Sequence, residues 1–240
     1  MHTRIRRMGQ RNFIYAALRD ELMRDVFVER MGDFASWRYW VDLASQRIVM
    51  TSDSGEVTAK VHLLATVAVT PPTLMWGYSD VLARFPDATR LAHKVFEYGL
   101  EHHEAELTTP QVPYTLPGDE DPESVIVDVA HDIGSAALTI FGNHYYYYGS
   151  SFRSGSYAVL LLEDLSVTVP PMTLDYLQPR LGDYLLWVDD PVWSLEGFVE
   201  LMPGWSLELE DGDDGFRHVC ITDDAGQTLS GPLPGPYIGE

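Results

Sequence analysis

Two short stretches of the sequence carry side chains suited to acid–base chemistry. The first, "VDVAHDIG", places Asp128, His131 and Asp132 on the polar side of a predicted helix. Asp128 and His131 are three residues apart, close enough for the carboxylate to hydrogen-bond the imidazole and orient it. A base oriented in this way is half of a hydrolytic apparatus, although helix surfaces also carry such pairs by chance. His131 and Asp128 are therefore candidate catalytic residues.

The second stretch, "EHHEAE", sets His102 and His103 beside three glutamates, which supply nitrogen and oxygen donors of the kind that bind metals. Adjacent residues on a helix point about 100° apart, so the two histidines are poorly placed to chelate one ion. A helical zinc pair spaces its histidines four apart, and this stretch does not. The sequence predicts no metal site and leaves His102 as a further catalytic candidate, with a structural role at a helix end as the alternative.

Other kinds of chemistry find little support in the sequence. No G-x-S-x-G nucleophile elbow occurs, and Cys220, the only cysteine, lies within a predicted strand. No glycine-rich nucleotide motif is found, and the chain has only two lysines, Lys60 and Lys94, to contact phosphate. The acidic turn at 210–215 lacks the EF-hand spacing, because Ile221 stands where that loop needs its final glutamate. We therefore predict no cofactor.

A row of four tyrosines follows a histidine in "FGNHYYYYGSS" (141–151). In a strand, Tyr145 and Tyr147 point to one face and the other two tyrosines to the opposite face. One pair is expected to complete the core, and the other to face solvent, an edge or a concavity. Cross-strand aromatic pairing explains the row without a ligand, while tyrosine, with its apolar body and polar tip, also suits a binding surface. The ligand-binding candidates under this second interpretation are Tyr146, Tyr148, His144 and Trp76.

The net charge of −20 is spread unevenly along the chain. Residues 1–30 carry seven arginines against four acids, whereas residues 171–240 carry two arginines against fourteen acids. So acidic a surface repels phosphate backbones and anionic lipid, which disfavours nucleic-acid and membrane binding. Two interpretations remain open: a surface that binds a basic protein partner, or a surface that is acidic only for solubility.

Size and cysteine content suggest where the protein works. A chain of 240 residues fits one large domain or a medium domain with an appendage. With one cysteine no disulfide can form within the chain, which favours a reducing compartment. The N-terminal stretch lacks the apolar core of a signal peptide, and no run approaches the roughly 18 apolar residues of a spanning helix. These features predict a cytoplasmic protein.

The elements that would position these residues begin with one predicted helix over 9–30, which stops at Gly32. Four strands follow with short connections, which indicates an antiparallel meander. Their sequences are "FASWRYWVDL", "RIVMTS", "VTAKVHLLATVAVT" and "TLMWGYSD".

The next segment is predicted to supply two helices and a hairpin. Asp87 is expected to cap the first helix, a proline-rich loop covers 107–123, and the second helix starts at Glu123. The hairpin pairs "LTIFGNHYYYY" with "SYAVLLLEDLSV" around the turn "GSSFRSGS".

The stretch "VPPMT" (169–173) marks a boundary between residues 1–168, the main domain, and residues 169–240, an acidic segment. This segment is predicted to hold short helices near 174–181 and 193–202. A β-meander follows with turns at Gly212–Gly215 and Asp223–Gly226, and then an extended proline- and glycine-rich tail.

This order of elements resembles a bacterial family known as domain of unknown function 6882. The resemblance lies in Trp37, in the strand "TLMWGYSD" and in the stretch "FEYGLEHHEAELTTPQVP", and it covers residues 10–165. The strand carries fewer tryptophans than the family pattern. Because the family has no established activity, the resemblance implies an architecture and no particular site.

Together these observations predict an α+β fold in which an antiparallel meander carries helices on one side, with a small β-rich C-terminal appendage. The leading hypothesis for function is a non-catalytic intracellular protein that binds a partner protein or a small ligand through its aromatic sheet face. The competing hypothesis is a small-molecule hydrolase or isomerase with a histidine-based site. A purely structural subunit is a third possibility. The sequence leaves the oligomeric state open.

Overall fold

The computed structural model describes residues 3–116, 121–152, 155–212 and 216–233. The helices in these ranges are α1 (Thr3–Met31), α2 (Arg90–Glu101), α3 (Ala105–Thr108), α4 (Pro122–Phe141), α5 (Leu174–Leu185) and α6 (Pro191–Glu200). The strands of the main sheet are β1 (Arg38–Asp42), β2 (Arg47–Thr51), β3 (Glu56–Val69), β4 (Pro72–Trp76), β5 (Gln111–Pro113), β6 (Tyr146–Phe152) and β7 (Ser156–Glu163). A second sheet holds β8 (Ser206–Asp211), β9 (Arg217–Thr222) and β10 (Thr228–Pro232).

The main sheet is organised around β3, its longest strand. The first part of β3 pairs with β2 and its last part with β4, so two short strands share one edge. Strand β7 pairs along the other edge and carries β6 outside it, and every pairing is antiparallel. The register between β3 and β7 shifts between Leu63 and Ala65, close to where β4 takes over from β2. The predicted α+β class with an antiparallel meander and a small C-terminal sheet is confirmed.

Both faces of the main sheet are covered. Alternate residues of β7 belong to different apolar clusters: Val159 and Leu161 to one, Leu160 and Leu162 to the other. Helices α2 and α4 supply the first cluster, as expected for helices packed on one side. The C-terminal half of α1 supplies the second cluster, so α1 reaches the opposite face.

A third apolar cluster joins α1 to the C-terminal segment. Ile14 and Leu18 of α1 pack with residues of α5, α6 and β9. The contact is close, because a side chain built on Gly197 of α6 would overlap the backbone oxygen of Arg11. Next to it, the Ser194 hydroxyl donates a hydrogen bond to the Gln10 carbonyl at 2.6 Å. The acidic segment therefore shares its core with the first helix of the chain.

Ion pairs reinforce this contact and explain part of the uneven charge. The guanidinium of Arg6 makes two 2.8 Å hydrogen bonds to the carboxylate of Asp189. Arg11 pairs with Glu200 at 2.5 Å, and its guanidinium lies 4.0 Å from the Trp193 ring centre. The basic N-terminal helix is thus a partner for the acidic C-terminal segment within the same chain.

Helix α4 extends further than the sequence predicted. The residues 138–141 were expected to begin a strand, since Thr139 and Ile140 are β-branched. They remain helical because Leu138 and Phe141 pack into two different apolar clusters. The helix ends at Gly142, whose φ of +61° suits glycine.

Smaller differences concern helix starts and a loop. Thr89, rather than Asp87, stands at the N-cap of α2, and Asp121 caps α4 by accepting a hydrogen bond from the Ser124 amide. The predicted proline-rich loop begins within helix α3 and contains β5, which adds an edge strand to the sheet. The predicted turn at Asp223–Gly226 is confirmed, with the Asp223 amide donating to the Gln227 carbonyl at 3.0 Å. Parts of the predicted loop, of the hairpin turn "GSSFRSGS", of the turn at Gly212–Gly215 and of the tail lie outside the described residues, at 117–120, 153–154, 213–215 and 234–240.

One helix in the described ranges is long and apolar enough to cross a membrane, by length and composition alone. It spans Pro122–His144, which includes α4, and 61% of its most apolar window is buried inside the fold. Buried core helices of folded domains meet the same two criteria.

We expect Gly197→Ala to lower the free energy of unfolding by about 1–3 kcal/mol, because the new methyl group overlaps the α1 backbone. Gly182→Ala in α5 is the matched control, since nothing lies within 4 Å of its methyl position. That change is expected to be neutral or to stabilise by up to about 1 kcal/mol. Urea denaturation of both variants checks the prediction, and equal stabilities would contradict it.

Candidate functional site

A cleft of about 700 Å³ opens between α1, α4 and α5, which is within the size range of small-molecule sites. Its walls combine charged, aromatic and small apolar side chains. They are Arg6, Gln10, Phe13, Ala16, Ala17, Asp20, Glu21, Arg24, Asp128, His131, Asp132, Ser135, Tyr147, Arg180, Asp183, Tyr184, Leu186 and Trp187.

Tyr147 is the member of the tyrosine row that lines this cleft. Its ring crosses Gly134 of α4, where any side chain would overlap the ring. The His131 ring meets it edge-on, with 5.3 Å between ring centres. The Tyr147 hydroxyl is buried and has no hydrogen-bond partner among the described residues, and burial raises its pKa well above the usual value. An unpaired buried hydroxyl is costly, so the Tyr147 hydroxyl lowers the stability of the folded protein.

Two apolar side chains project at the rim of the cleft. Leu186 and Trp187 are each 71% exposed, although both follow directly on the end of α5. Their chain neighbours Leu185 and Val188 are buried in the core shared with α1. The backbone amide of Asp189 donates to the Gln10 side chain at 2.8 Å, which fixes the loop against α1. The rim therefore presents an indole from a segment anchored at both ends.

The arginines in the cleft are already paired with carboxylates. Arg24 binds Asp20 at 2.6 Å, one turn apart on α1. Arg180 of α5 binds Glu21 at 2.8 Å, and the Tyr184 hydroxyl donates to the same carboxylate. Arg6 pairs with Asp189, which lies outside the cleft lining. The contacts of Glu21 with Arg180 and Tyr184 connect α1 to α5, and the three ion pairs together leave little free positive charge in the cleft.

Two carboxylates on α4 have no such partner. Among the described residues, no hydrogen bond or ion pair reaches the side chain of Asp128 or Asp132. Desolvation raises the pKa of Asp132 to about 7, and the charges of Asp128 and Asp189 act in the same direction against Arg6. Asp132 thus lies near the midpoint of its titration at neutral pH.

His131 lies between these carboxylates on the cleft wall. Desolvation lowers its pKa, and the charges of Asp20 and Asp128 oppose that effect. No hydrogen bond joins His131 to Asp128 in the described part of the chain, so the predicted orienting contact is not formed here. The imidazole is instead exposed to the cleft, where it is available to a bound molecule.

The structure brings together only some of the residues chosen from the sequence. His131 and Asp128 line the cleft. His102 lies at the end of α2 and stacks on Tyr98 with 4.0 Å between ring centres, away from the cleft lining. His144 is exposed after α4. Within the described residues, no group of three or more histidines, cysteines and acids is placed to hold a metal ion.

The proposed aromatic surface is divided between the two faces of the sheet. Trp76 is 2% exposed and donates to the Glu106 carbonyl, in the cluster that includes α4. Tyr146 and Tyr148 pack against the opposite cluster, and Arg19 covers the ring of Tyr146 at 4.0 Å. The two tyrosine pairs point to opposite faces, as the alternation along a strand requires, and both are half-buried because each pair packs against the apolar cluster on its own face.

No local pattern in the sequence predicts the wall that the C-terminal segment contributes to the cleft. The spacing of Asp20 and Arg24 does predict a pair on one helix face. The contact between Glu21 and Arg180 joins residues 159 positions apart, and such a distance leaves no local pattern. Trp187 stands among apolar residues in the sequence, a pattern typical of a buried side chain. Only the fold shows that its side chain projects outward.

Comparison with known proteins identifies one relationship. The profile of a family described as "Family of unknown function (DUF6882)" matches residues 6–165. No curated protein and no solved structure matches the chain. The matched region contains the α1, α4 and β6 walls of the cleft, whereas the α5 wall lies beyond it.

We expect Tyr147→Phe to leave the stability of the ligand-free protein unchanged or to raise it, because it removes a hydroxyl that has no partner. Tyr78→Phe is the control, because the Tyr78 hydroxyl donates to the Leu107 carbonyl at 2.9 Å. That change is expected to cost about 1 kcal/mol. Thermal unfolding of both variants distinguishes them, and a larger loss in Tyr147→Phe would contradict the assignment.

We expect the contribution of Asp132 to the free energy of unfolding to fall as the pH rises from about 4 to about 7. Its folded-state pKa of about 7 lies above its unfolded value, so the folded state binds the extra proton over this window. Asp132→Asn should therefore stabilise the protein by about 1–2 kcal/mol at pH 8, with the gain vanishing near pH 4.

Denaturant titrations across this pH range measure the effect. Asp53→Asn, at an exposed turn far along the chain, controls for the loss of one charge. A gain of the same size at pH 4 and pH 8 would rule out the titration of Asp132 as its cause.

Proposed function

Because the chain belongs to a family of unknown function, DUF6882, we propose its function from its own geometry: it binds a small organic ligand in the cleft between α1, α4 and α5. The observation that carries this proposal is the lining of the cleft. Aromatic rings, carboxylates and an imidazole converge on a space of about 700 Å³, which is within the size range of specific small-molecule sites and offers a ligand both apolar surface and polar groups.

The proposal keeps a tyrosine of the row as a ligand-binding residue, but the tyrosine is Tyr147 rather than Tyr146 or Tyr148. Tyr147 contributes a ring to the cleft and a buried hydroxyl that has no partner in the described protein. Trp187 supplies exposed apolar surface at the mouth, where a bound molecule would cover it. Such coverage would lower the free energy of the complex through the hydrophobic effect. We propose binding without catalysis as the principal role.

A histidine-based hydrolase or isomerase is the second candidate. His131 favours it, because this imidazole faces the cleft and a carboxylate that titrates near neutrality lies next to it in sequence, at Asp132. A general base needs such exposure and a pKa near the working pH. Turnover of a bound compound that His131→Gln abolishes, with binding retained, would establish this function over simple binding.

A bulky residue in the cleft tests the proposed binding. We expect Ala17→Phe to occupy the space next to Phe13 and to abolish thermal stabilisation by compounds that stabilise the natural protein. A thermal-shift screen of a chemically diverse small-molecule library measures this effect, since ligands that bind the folded state raise its stability. Trp187→Ala, whose side chain is largely exposed, provides a second variant that is expected to fold normally.

The control is Ala225→Phe, in an exposed turn of the C-terminal sheet, which should respond to the library as the natural protein does. Compounds that stabilise both Ala17→Phe and Trp187→Ala as strongly as the natural protein would place binding elsewhere. A library without any stabilising compound would overturn the proposal.

A further inference from the structure

We infer that the ligand of this cleft is an organic cation, an amine or quaternary ammonium group attached to an apolar body. The inference rests on the proposed function and names the chemical class of its ligand. Three features of the cleft support it: the balance of its charges, the nature of its walls and the field of the whole protein.

The charges in the cleft are not balanced. Five carboxylates and three arginines line it. Arg24 and Arg180 each pair with a carboxylate of the lining, and Arg6 pairs with a carboxylate outside it. The carboxylates that remain without an ion pair among the described residues belong to Asp128, Asp132 and Asp183. A cationic group would supply the missing partner, whereas an anionic group would add repulsion.

A cationic group would stabilise the ionised form of Asp132 in particular. Burial in the cleft and the charges of Asp128 and Asp189 disfavour its ionised form, and Arg6 only partly compensates. An ammonium group placed beside the carboxylate would stabilise the ionised form and gain a charge-assisted hydrogen bond. The neighbouring groups on the other walls, Asp20 and Arg24, already neutralise each other.

The aromatic walls suit the apolar body of such a ligand. Phe13 and Tyr184 meet edge-on with 6.1 Å between their ring centres, and Tyr147 forms another part of the lining. Trp187 adds an indole at the rim, the ring that binds cations most strongly through its face. Small side chains at Ala16 and Ala17 keep the space between these rings open.

The field of the whole molecule acts in the same direction. A net charge of −20 raises the local concentration of cations and lowers that of anions around the protein. Screening by salt weakens this long-range attraction, so the affinity for a cation is expected to fall with ionic strength.

Three probes of one shape test the inference: phenethylamine, 2-phenylethanol and 3-phenylpropionate, which differ in charge and share a phenyl ring. Binding to the full chain is measured by ligand-observed NMR titration at pH 8. We expect phenethylamine to bind about tenfold more tightly than the alcohol, the ratio that a difference of about 1.4 kcal/mol gives. The carboxylate is expected to bind more weakly than the alcohol.

Two charge-removing variants make the test specific. Asp132→Asn should reduce the tenfold preference for the amine over the alcohol to about twofold or less, while Asp53→Asn should keep it. Asp53 is exposed and lies outside the cleft lining, so this change removes the same charge without touching the cleft. Trp187→Ala should weaken all three probes, because it removes the shared apolar contact, and should weaken phenethylamine most, because it also removes the indole face that attracts a cation.

The outcomes separate this inference from the proposed function. If the alcohol or the carboxylate binds as tightly as the amine and Ala17→Phe abolishes that binding, the cleft is a ligand site but not one for cations. If the preference for the amine survives in Asp132→Asn, the assignment of this carboxylate is wrong. If neither the probes nor the library show binding that Ala17→Phe removes, both proposals fall.

Discussion

The packing of α1 into all three apolar clusters is the constraint on which the structure depends. Along its length this helix gives Ile5 to the core under α4, Ile14 and Leu18 to the core of the C-terminal segment, and Phe27 to the core on the other sheet face. A surface helix would have one continuous apolar stripe. In α1 the direction of the apolar face changes along the helix, because its first, middle and last parts pack into three different apolar clusters.

The charge asymmetry along the chain has a structural counterpart in the same helix. Arginines of α1 meet carboxylates of the C-terminal segment at Asp189, Glu196 and Glu200. Exposed ion pairs add little stability one by one. A series along one interface still selects which surfaces meet, since like charges in those places would repel. Some of the carboxylates that suggest an external basic partner are therefore already paired with arginines of the same chain.

The sequence predicted the elements better than the places where they meet. Strands β1 to β4 and helices α1, α4, α5 and α6 follow from hydrophobic spacing and turn residues, within about four residues at each end, except that α1 begins six residues before the predicted start. The stretch 138–141 was misread as strand, because β-branched residues outweighed the packing of Leu138 and Phe141, which only the fold reveals. For the cleft, His131 and Asp128 were predicted from local spacing. Arg180 and Trp187 were not, since no local pattern links α5 to α1.

The cleft lies across the junction of two segments, and this has a thermodynamic consequence. A molecule bound there would touch α1 and α4 on one side and α5 on the other. Any free energy gained from both walls is lost when the C-terminal segment undocks, so occupancy and docking are linked equilibria. A ligand that binds the docked form more tightly than the undocked form therefore lowers the population of the undocked form. The docking of α5 and α6 onto α1 would then depend on the concentration of that ligand.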